Sequence, residues 1–414
     1  MKAKILTEPP GPKARKIIDV MARNCYDSTF TYPLVVSGGE GCSIFDVDGN
    51  SFLDFTSNIG TCPLGYSHPA ILRVLSELSK NSAHKIAGQD FYCNEHADLS
   101  EQVRSIIPSG FKSFFINSGA EAVENALKIA YRKMSTETPS RLPGVSCINA
   151  FHGRTLGALS FTYSKPVQKA GYPELPVIRI KFCTDDADSE IDAVEQVLKN
   201  NRVAFVISEV VQGEGGYNFA SRRFVQNLRK ATDKYGIPLI LDEVQSGMGR
   251  TGKWWAFEHY SVTPDIMSAA KALQVGMAAY NERFEPGEQG ALSSTWGGGS
   301  RIDLAAGAAT IQAIKAEGLL SNATAMGERL LKGIRDLAQN PQAGITGARG
   351  LGLMIGVEVE SKERRDMLLK KAFKTGLLLL PAGQKAMRVI PPLVITPEEV
   401  DEGLELMERV FVSA

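Results

Sequence analysis

No run of about 18 apolar residues occurs, so no membrane-spanning helix is expected. No secretion leader is expected either: the opening Met1-Lys-Ala-Lys-Ile-Leu-Thr-Glu-Pro-Pro meets a glutamate and two prolines before an apolar stretch can build. The six cysteines (25, 42, 62, 93, 147 and 183) contain no Cys-x-x-Cys pair, which argues against a disulfide framework or a structural zinc site. The five histidines show no His-x-x-x-His spacing, so no metal is expected. Neither sign of charge is in excess, with 46 Lys plus Arg against 46 Asp plus Glu. A formal net charge of zero excludes attraction of the whole protein to nucleic acid or to an anionic membrane, while leaving a local basic pocket open. Internal repeats and low-complexity segments are lacking as well. These absences together describe a soluble, reduced, cytoplasmic protein.

What is present is ordinary globular sequence. At roughly 150 residues per domain, 414 residues suggest two to three domains. The apolar share of 43% is enough to build full cores and rules out disorder for most of the chain. Strand and helix patterns alternate, which favours an α/β architecture. Gly41 to Gly49 and Ser51 to Phe55 read as two strands joined by a turn at Asp48-Gly49-Asn50. Ser113 to Asn117 reads as a strand followed by a helix from Gly119 to Lys133. Val203 to Ser208 and Pro238 to Asp242 read as buried strands around a helix from Arg222 to Tyr235, the βα units of a largely parallel sheet. Beyond residue 300, helices are expected over Arg301 to Glu317 and Asn322 to Gln339, then a strand over Leu353 to Val359. A final helix opens on the capping box Thr396-Pro-Glu-Glu399, with Val400, Leu404, Met407 and Phe411 on one face.

Three local patterns carry chemistry. Asn117-Ser-Gly-Ala-Glu121 stands at a strand-to-helix junction, where Ser118 and Glu121 can form a capping box. Small Gly119 and Ala120 leave the N–H groups of that helix start accessible, which suits a phosphate and equally describes a capped helix with nothing bound. Asp242 ends an apolar strand, where α/β proteins place ligands, and it also reads as a turn aspartate. Lys271 lies among small apolar neighbours that favour its neutral, nucleophilic form; alone it reads as a surface lysine. The order of the three suggests a joint purpose. A lysine can hold an aldehyde cofactor as an imine, an aspartate can keep a pyridine nitrogen protonated, and a helix start can anchor a phosphate.

Longer stretches make the resemblance specific. Gly65-Tyr-Ser-His-Pro69, Asn117 to Ala122, Ala150-Phe-His-Gly-Arg-Thr155 and Gln212-Gly-Glu-Gly-Gly216 occur in order. Leu241-Asp-Glu-Val-Gln245, Gly249-Arg-Thr-Gly-Lys253, Pro264-Asp-Ile266, Lys271, Ser294-Thr-Trp-Gly-Gly298 and Arg388-Val-Ile-Pro-Pro-Leu393 continue it. The chain resembles a class III aminotransferase, the family of ω-amino acid transaminases. That resemblance implies a fold-type I pyridoxal 5'-phosphate enzyme of α/β class. Its large, mostly parallel-sheet domain would span residues 60–296. A smaller α+β domain would combine residues 1–59 with 297–414. Catalysis would rest on Lys271 and Asp242. Ser118, Gly119 and Ala120 would hold the phosphate, Phe151 would stack on the ring, Asp242 would pair with its nitrogen, and Gln245 would bond the phenolic oxygen. Glu209 would be a carboxylate beside the cofactor, and Thr295 would reach the phosphate of a neighbouring subunit, which implies a homodimer with shared active sites and leaves a tetramer open. Arg154, Glu214 and Arg388 would select substrates, with Arg154 on the distal carboxylate and Glu214 competing for Arg388.

The implied reaction is ping-pong transfer of an ω-amino group to 2-oxoglutarate. The donor is expected to be 4-aminobutyrate, with the lysine ε-amine or ornithine next. Departures bear on that donor. Val210 replaces the usual proline, and Lys271 is followed by Ala-Leu-Gln-Val-Gly in place of the usual Gly-Gly-x-Pro. Gln274-Val-Gly276 and Leu380-Pro-Ala-Gly383 resemble the lysine ε-aminotransferase branch. Pro10-Gly-Pro-Lys-Ala14 resembles a branch that includes amino-acid racemases, so a racemase of the same fold is the alternative. A catalytically silent protein of this fold is a third reading, opposed by the intact Lys271, Asp242 and Gln245. Gly350 to Gly356 has glycines at the wrong spacing for a dinucleotide loop and is followed by a strand pattern.

Overall fold

The computed structural model describes residues 2–26, 30–80, 85–86, 91–135, 142–293, 298 and 300–412. The chain divides into two compact units, residues 73–316 and residues 1–72 with 317–414. The divisions fall at Leu72/Arg73 and Ala316/Glu317. The helix Arg301–Ala316 belongs to the larger unit, where Arg301 pairs with Glu95 at 2.6 Å on the helix Asn94–Arg104.

The larger unit is built on seven strands: β1 (Phe111–Ile116), β2 (Gly144–Cys147), β3 (Val177–Ile180), β4 (Phe205–Ser208), β5 (Leu239–Asp242), β6 (Ile266–Ala269) and β7 (Gly276–Asn281). Their order across the sheet is β1-β7-β6-β5-β4-β2-β3. The neighbours from β6 to β3 are parallel, and β7 runs antiparallel to both β6 and β1. Every residue of β2, β4, β5 and β6 is buried, as strands covered on both faces must be. The apolar runs Phe205-Val-Ile207 and Leu239-Ile-Leu241 therefore read as continuous, without the alternation of a half-exposed strand. Helices cover the faces. The helix Gly119–Ser135 buries Ala122, Val123, Ala126, Leu127 and Ala130 against Ile116, Phe205 and Ile240. The helix Arg222–Tyr235 starts where Ser221 Oγ accepts the Phe224 N–H at 3.1 Å and stops at left-handed Gly236, φ 67°.

The other unit joins both chain ends. Val36–Glu40, Ser43–Asp46 and Ser51–Asp54 form an antiparallel meander, extended in parallel by Leu377–Leu378. A second sheet pairs Ile345–Leu351, Met354–Val359, Ala386–Val389 and Leu380–Ala382, all antiparallel. The last helix, Pro397–Val412, carries the complete capping box: Thr396 N–H donates to Glu399 Oε2 at 3.0 Å and Glu399 N–H to Thr396 Oγ1 at 3.2 Å. Val400, Met407 and Phe411 of its predicted face are fully buried. Among the described residues no helix is long and apolar enough to cross a membrane.

Candidate active site

In the larger unit the loops that leave the carboxyl ends of β1, β2, β4, β5 and β6 carry Ser118, Phe151, Glu209, Asp242 and Lys271. That edge is where open parallel sheets bind ligands, because strand order reverses there and helix N-termini face it.

Asp242 ends β5 and is 5% exposed. Three donors hold its carboxylate: His152 Nδ1 at 2.8 Å on Oδ2, with Ser268 Oγ at 2.9 Å and the Val244 N–H at 3.0 Å on Oδ1. His152 is buried, and its Nε2 has no hydrogen-bond partner among the described residues. A buried aspartate gripped on this pattern is held in one orientation toward the strand edge. His152 and Ser268 lie 90 and 26 residues away in the chain, so no local spacing announces them as its partners.

The helix start at Gly119 is accessible. Ser118 Oγ accepts the Glu121 N–H at 3.3 Å, while Glu121 Oε1 takes the Asn117 side-chain amide at 3.2 Å. A Cβ at Gly119 would stand 2.8 Å from Val244 Cγ1 and 3.4 Å from Ala270 Cβ, so the segment wedges between the Asp242 loop and the residue before Lys271. Lys271 itself opens a short 3-10 turn with a left-handed backbone, φ 51°.

Glu209 follows β4 and is buried. Its Oε2 accepts the Phe151 N–H and its Oε1 the Gly213 N–H, each at 3.0 Å. Burial pushes this carboxyl up to about 7; His152 and the two N–H groups act against that rise and the Asp242 charge adds to it. Glu243, beside Asp242, is also pushed up to about 7 by burial, opposed by Ser246 Oγ at 2.6 Å and the Phe257 N–H at 2.9 Å.

The residues fit pyridoxal 5'-phosphate. Gln245 Oε1 is buried without a partner among the described residues, and a half-turn of the amide presents Nε2 there as a donor for a phenolic oxygen. Asp242 supplies the counter-charge for a pyridinium, the helix start at Ser118 to Ala120 supplies N–H groups for a phosphate, and Lys271 supplies the amine. Among the described residues no group of three or more metal-ligating side chains occurs.

The residues expected to select substrates are placed less uniformly. Arg154 is exposed and makes no ion pair or hydrogen bond among the described residues. Glu214 Oε2 lies 3.8 Å from Lys165 Nζ, a neighbour that no motif indicated. Arg388 stands on the strand Ala386–Val389 of the other unit, 5% exposed, its Nε donating to Pro381 O at 3.1 Å. Thr295 lies outside the described residues.

Residues 26–411 match the family model described as Aminotransferase class-III. The chain is 34% identical over 399 residues to the acetylornithine aminotransferase of Caldanaerobacter subterraneus subsp. tengcongensis, covering 93% of this chain and 96% of the relative. It is 36% identical over 380 residues to that of Archaeoglobus fulgidus, covering 90% and 94%. Among solved structures, the lysine aminotransferase from M. tuberculosis superposes with a TM-score of 0.90 at 26% identity, over 96% of this chain and 98% of that one. The ornithine aminotransferase from Toxoplasma gondii ME49 superposes with a TM-score of 0.87 at 26% identity, over 97% and 95%.

Proposed function

Because this chain belongs to the class III aminotransferases, which use pyridoxal 5'-phosphate, we propose that it transfers the terminal amino group of an ω-amino acid to 2-oxoglutarate, giving a semialdehyde and glutamate. The observation that carries the reading is Asp242, buried and gripped by His152 and Ser268 on the strand edge that also presents Lys271 and Gln245. The cofactor, when bound, supplies an electron sink that stabilises a carbanion next to the transferred nitrogen. Lys271 would hold the cofactor through its side-chain amine, and that amine, when free, would be the base that takes the proton from the substrate carbon. Asp242 keeps a proton on the ring nitrogen, and the Ser118 helix start orients the phosphate. Arg154, exposed and without a partner among the described residues, takes the distal carboxylate of the donor; Glu214 and Arg388 complete substrate selection.

Relatives named for acetylornithine, ornithine and lysine support a donor longer than 4-aminobutyrate for this chain. A homodimer in the cytoplasm, with Thr295 reaching the phosphate bound in a second copy, completes the proposal. The test is an absorbance titration of the holoenzyme with each donor and no acceptor. Conversion of the visible band to that of the aminated cofactor, reversed by 2-oxoglutarate, supports transamination and identifies the donor. A visible band that persists with every donor, while an enantiopure amino acid loses its optical rotation, would establish the racemase instead.

A further inference from the structure

We propose that Glu209 is a positioning residue that clamps two cofactor-contacting loops at once, one with each carboxylate oxygen. The inference rests on the reading that Phe151 and Gln245 touch the cofactor. Glu209 Oε2 fixes the Phe151 N–H, and the next residue, His152, grips Asp242. Glu209 Oε1 fixes the Gly213 N–H. Gly213 in turn sits so close to Gln245 that a Cβ there would fall 2.5 Å from Gln245 Oε1. One side chain therefore sets the place of the ring-stacking residue, the grip on the ring-nitrogen partner and the floor under the phenolic-oxygen partner.

The charged state belongs to this geometry. Among the described residues no lysine or arginine pairs with Glu209; the titratable groups that face it are His152 and Asp242. Both oxygens meet N–H donors, so a proton on either would face a donor and release one loop. Burial works against the charge, whose carboxyl is pushed up to about 7, so the fold alone gains little from an ionised group here.

Glu209→Gln keeps the shape but puts an amide NH2 against one of the two N–H groups. In the holoenzyme we expect cofactor dissociation to rise about 10- to 100-fold, with an altered visible circular dichroism of the bound cofactor and a fall in kcat. The donor KM should change less than about threefold. Phe151→Ala is the companion variant. If Phe151→Ala leaves the visible dichroism unchanged, the reading of Phe151 as ring partner fails. If Phe151→Ala moves it while Glu209→Gln stays within about twofold of wild type in both dissociation and dichroism, the clamp is overturned. Should Glu209→Gln not fold, hydrogen exchange in the wild-type holoenzyme decides. Peptides containing Phe151 and Gly213 should lose protection together, after correction for intrinsic rates, as pH is lowered and Glu209 takes up a proton. Independent loss would overturn the clamp.

Discussion

Replacing His152 by leucine removes the donor 2.8 Å from Asp242 Oδ2 while leaving Ser268 and Val244 on Oδ1. A hydrogen bond to a charged group contributes about 1.5–3 kcal/mol, and leaving a buried carboxylate oxygen without a donor adds to the loss. Against it stands the removal of His152 Nε2, a buried acceptor without a partner among the described residues. The net loss is about 2 kcal/mol. The larger unit spans residues 73–316, and at about 2.1 cal/mol/K per residue its unfolding entropy is about 0.5 kcal/mol/K. The unfolding midpoint of the cofactor-free protein should therefore fall by about 4 °C in differential scanning calorimetry. Turnover should fall further, about 10- to 100-fold, because Asp242 is also the residue proposed to hold the ring nitrogen. His152→Asn can place its amide N–H near the position of Nδ1 and should recover most of both losses. A midpoint within about 1 °C of wild type, together with turnover within about twofold, would refute the assignment of His152 as the residue that holds Asp242.

Lys271→Ala should abolish covalent attachment of the cofactor, read as loss of borohydride-fixed cofactor by mass spectrometry, and should cut turnover by orders of magnitude; retained turnover would remove Lys271 from the mechanism. Glu243 is raised from 4.5 to about 7 by burial, so ionising it disfavours the folded state, and its contribution to stability is present below about 4.5 and lost as pH rises toward 7. The span of 2.5 units corresponds to about 3 kcal/mol. Glu243→Gln should accordingly gain stability relative to wild type on going from pH 5 to pH 8, and a relative loss would contradict the sign. Thr396→Ala opens the capping box of the helix Pro397–Val412 and should cost about 0.5–2 kcal/mol in urea unfolding, with no change in the visible spectrum of the cofactor.

Long periodic elements were legible in the sequence because their signals are local. The helix Arg222–Tyr235 has its cap, its buried face and its left-handed stop within one short stretch. The box at Thr396 and Glu399 closes as its spacing implies. At Ser118 and Glu121 only half of the expected box appears, since Asn117 draws the Glu121 carboxylate away. Partners remote in the chain had no local signal. The helix Pro12–Asn24 is capped by Asp48, whose two oxygens take the Lys13 and Ala14 N–H groups at 2.8 and 2.9 Å across some 35 residues. His152, Ser268 and Lys165 came into view only through space. The helix Arg301–Ala316 is tied to the Asn94–Arg104 helix by the Arg301–Glu95 pair, a partnership that composition does not reveal.

The single antiparallel strand of the large sheet explains where Lys271 stands. β6 ends at Ala269 and β7 begins at Gly276, so Lys271 lies in the reversal between them. Two residues of that reversal have left-handed backbone without being glycine, Lys271 at φ 51° and Gln274 at φ 69°, at a cost of about 1 kcal/mol each. β7 then pairs with β1, Gly276 opposite Ile116, two residues before Ser118. A Cβ at Gly276 would lie 2.5 Å from Ser118 O and 3.0 Å from Ile116 Cγ1. Backbone cannot yield there as a side-chain tip can, so Gly276→Ala must push the Ser118 segment away from the lysine turn. Overpacking of this kind costs about 1–3 kcal/mol, and here the displaced groups are those proposed to hold the phosphate. Gly276→Ala should therefore weaken phosphate-bearing pyridoxal about 10-fold more than it weakens unphosphorylated pyridoxal, measured by equilibrium dialysis against the cofactor-free protein. Equal weakening of both would mean that the close approach serves the sheet alone and does not set the distance between the lysine and the phosphate.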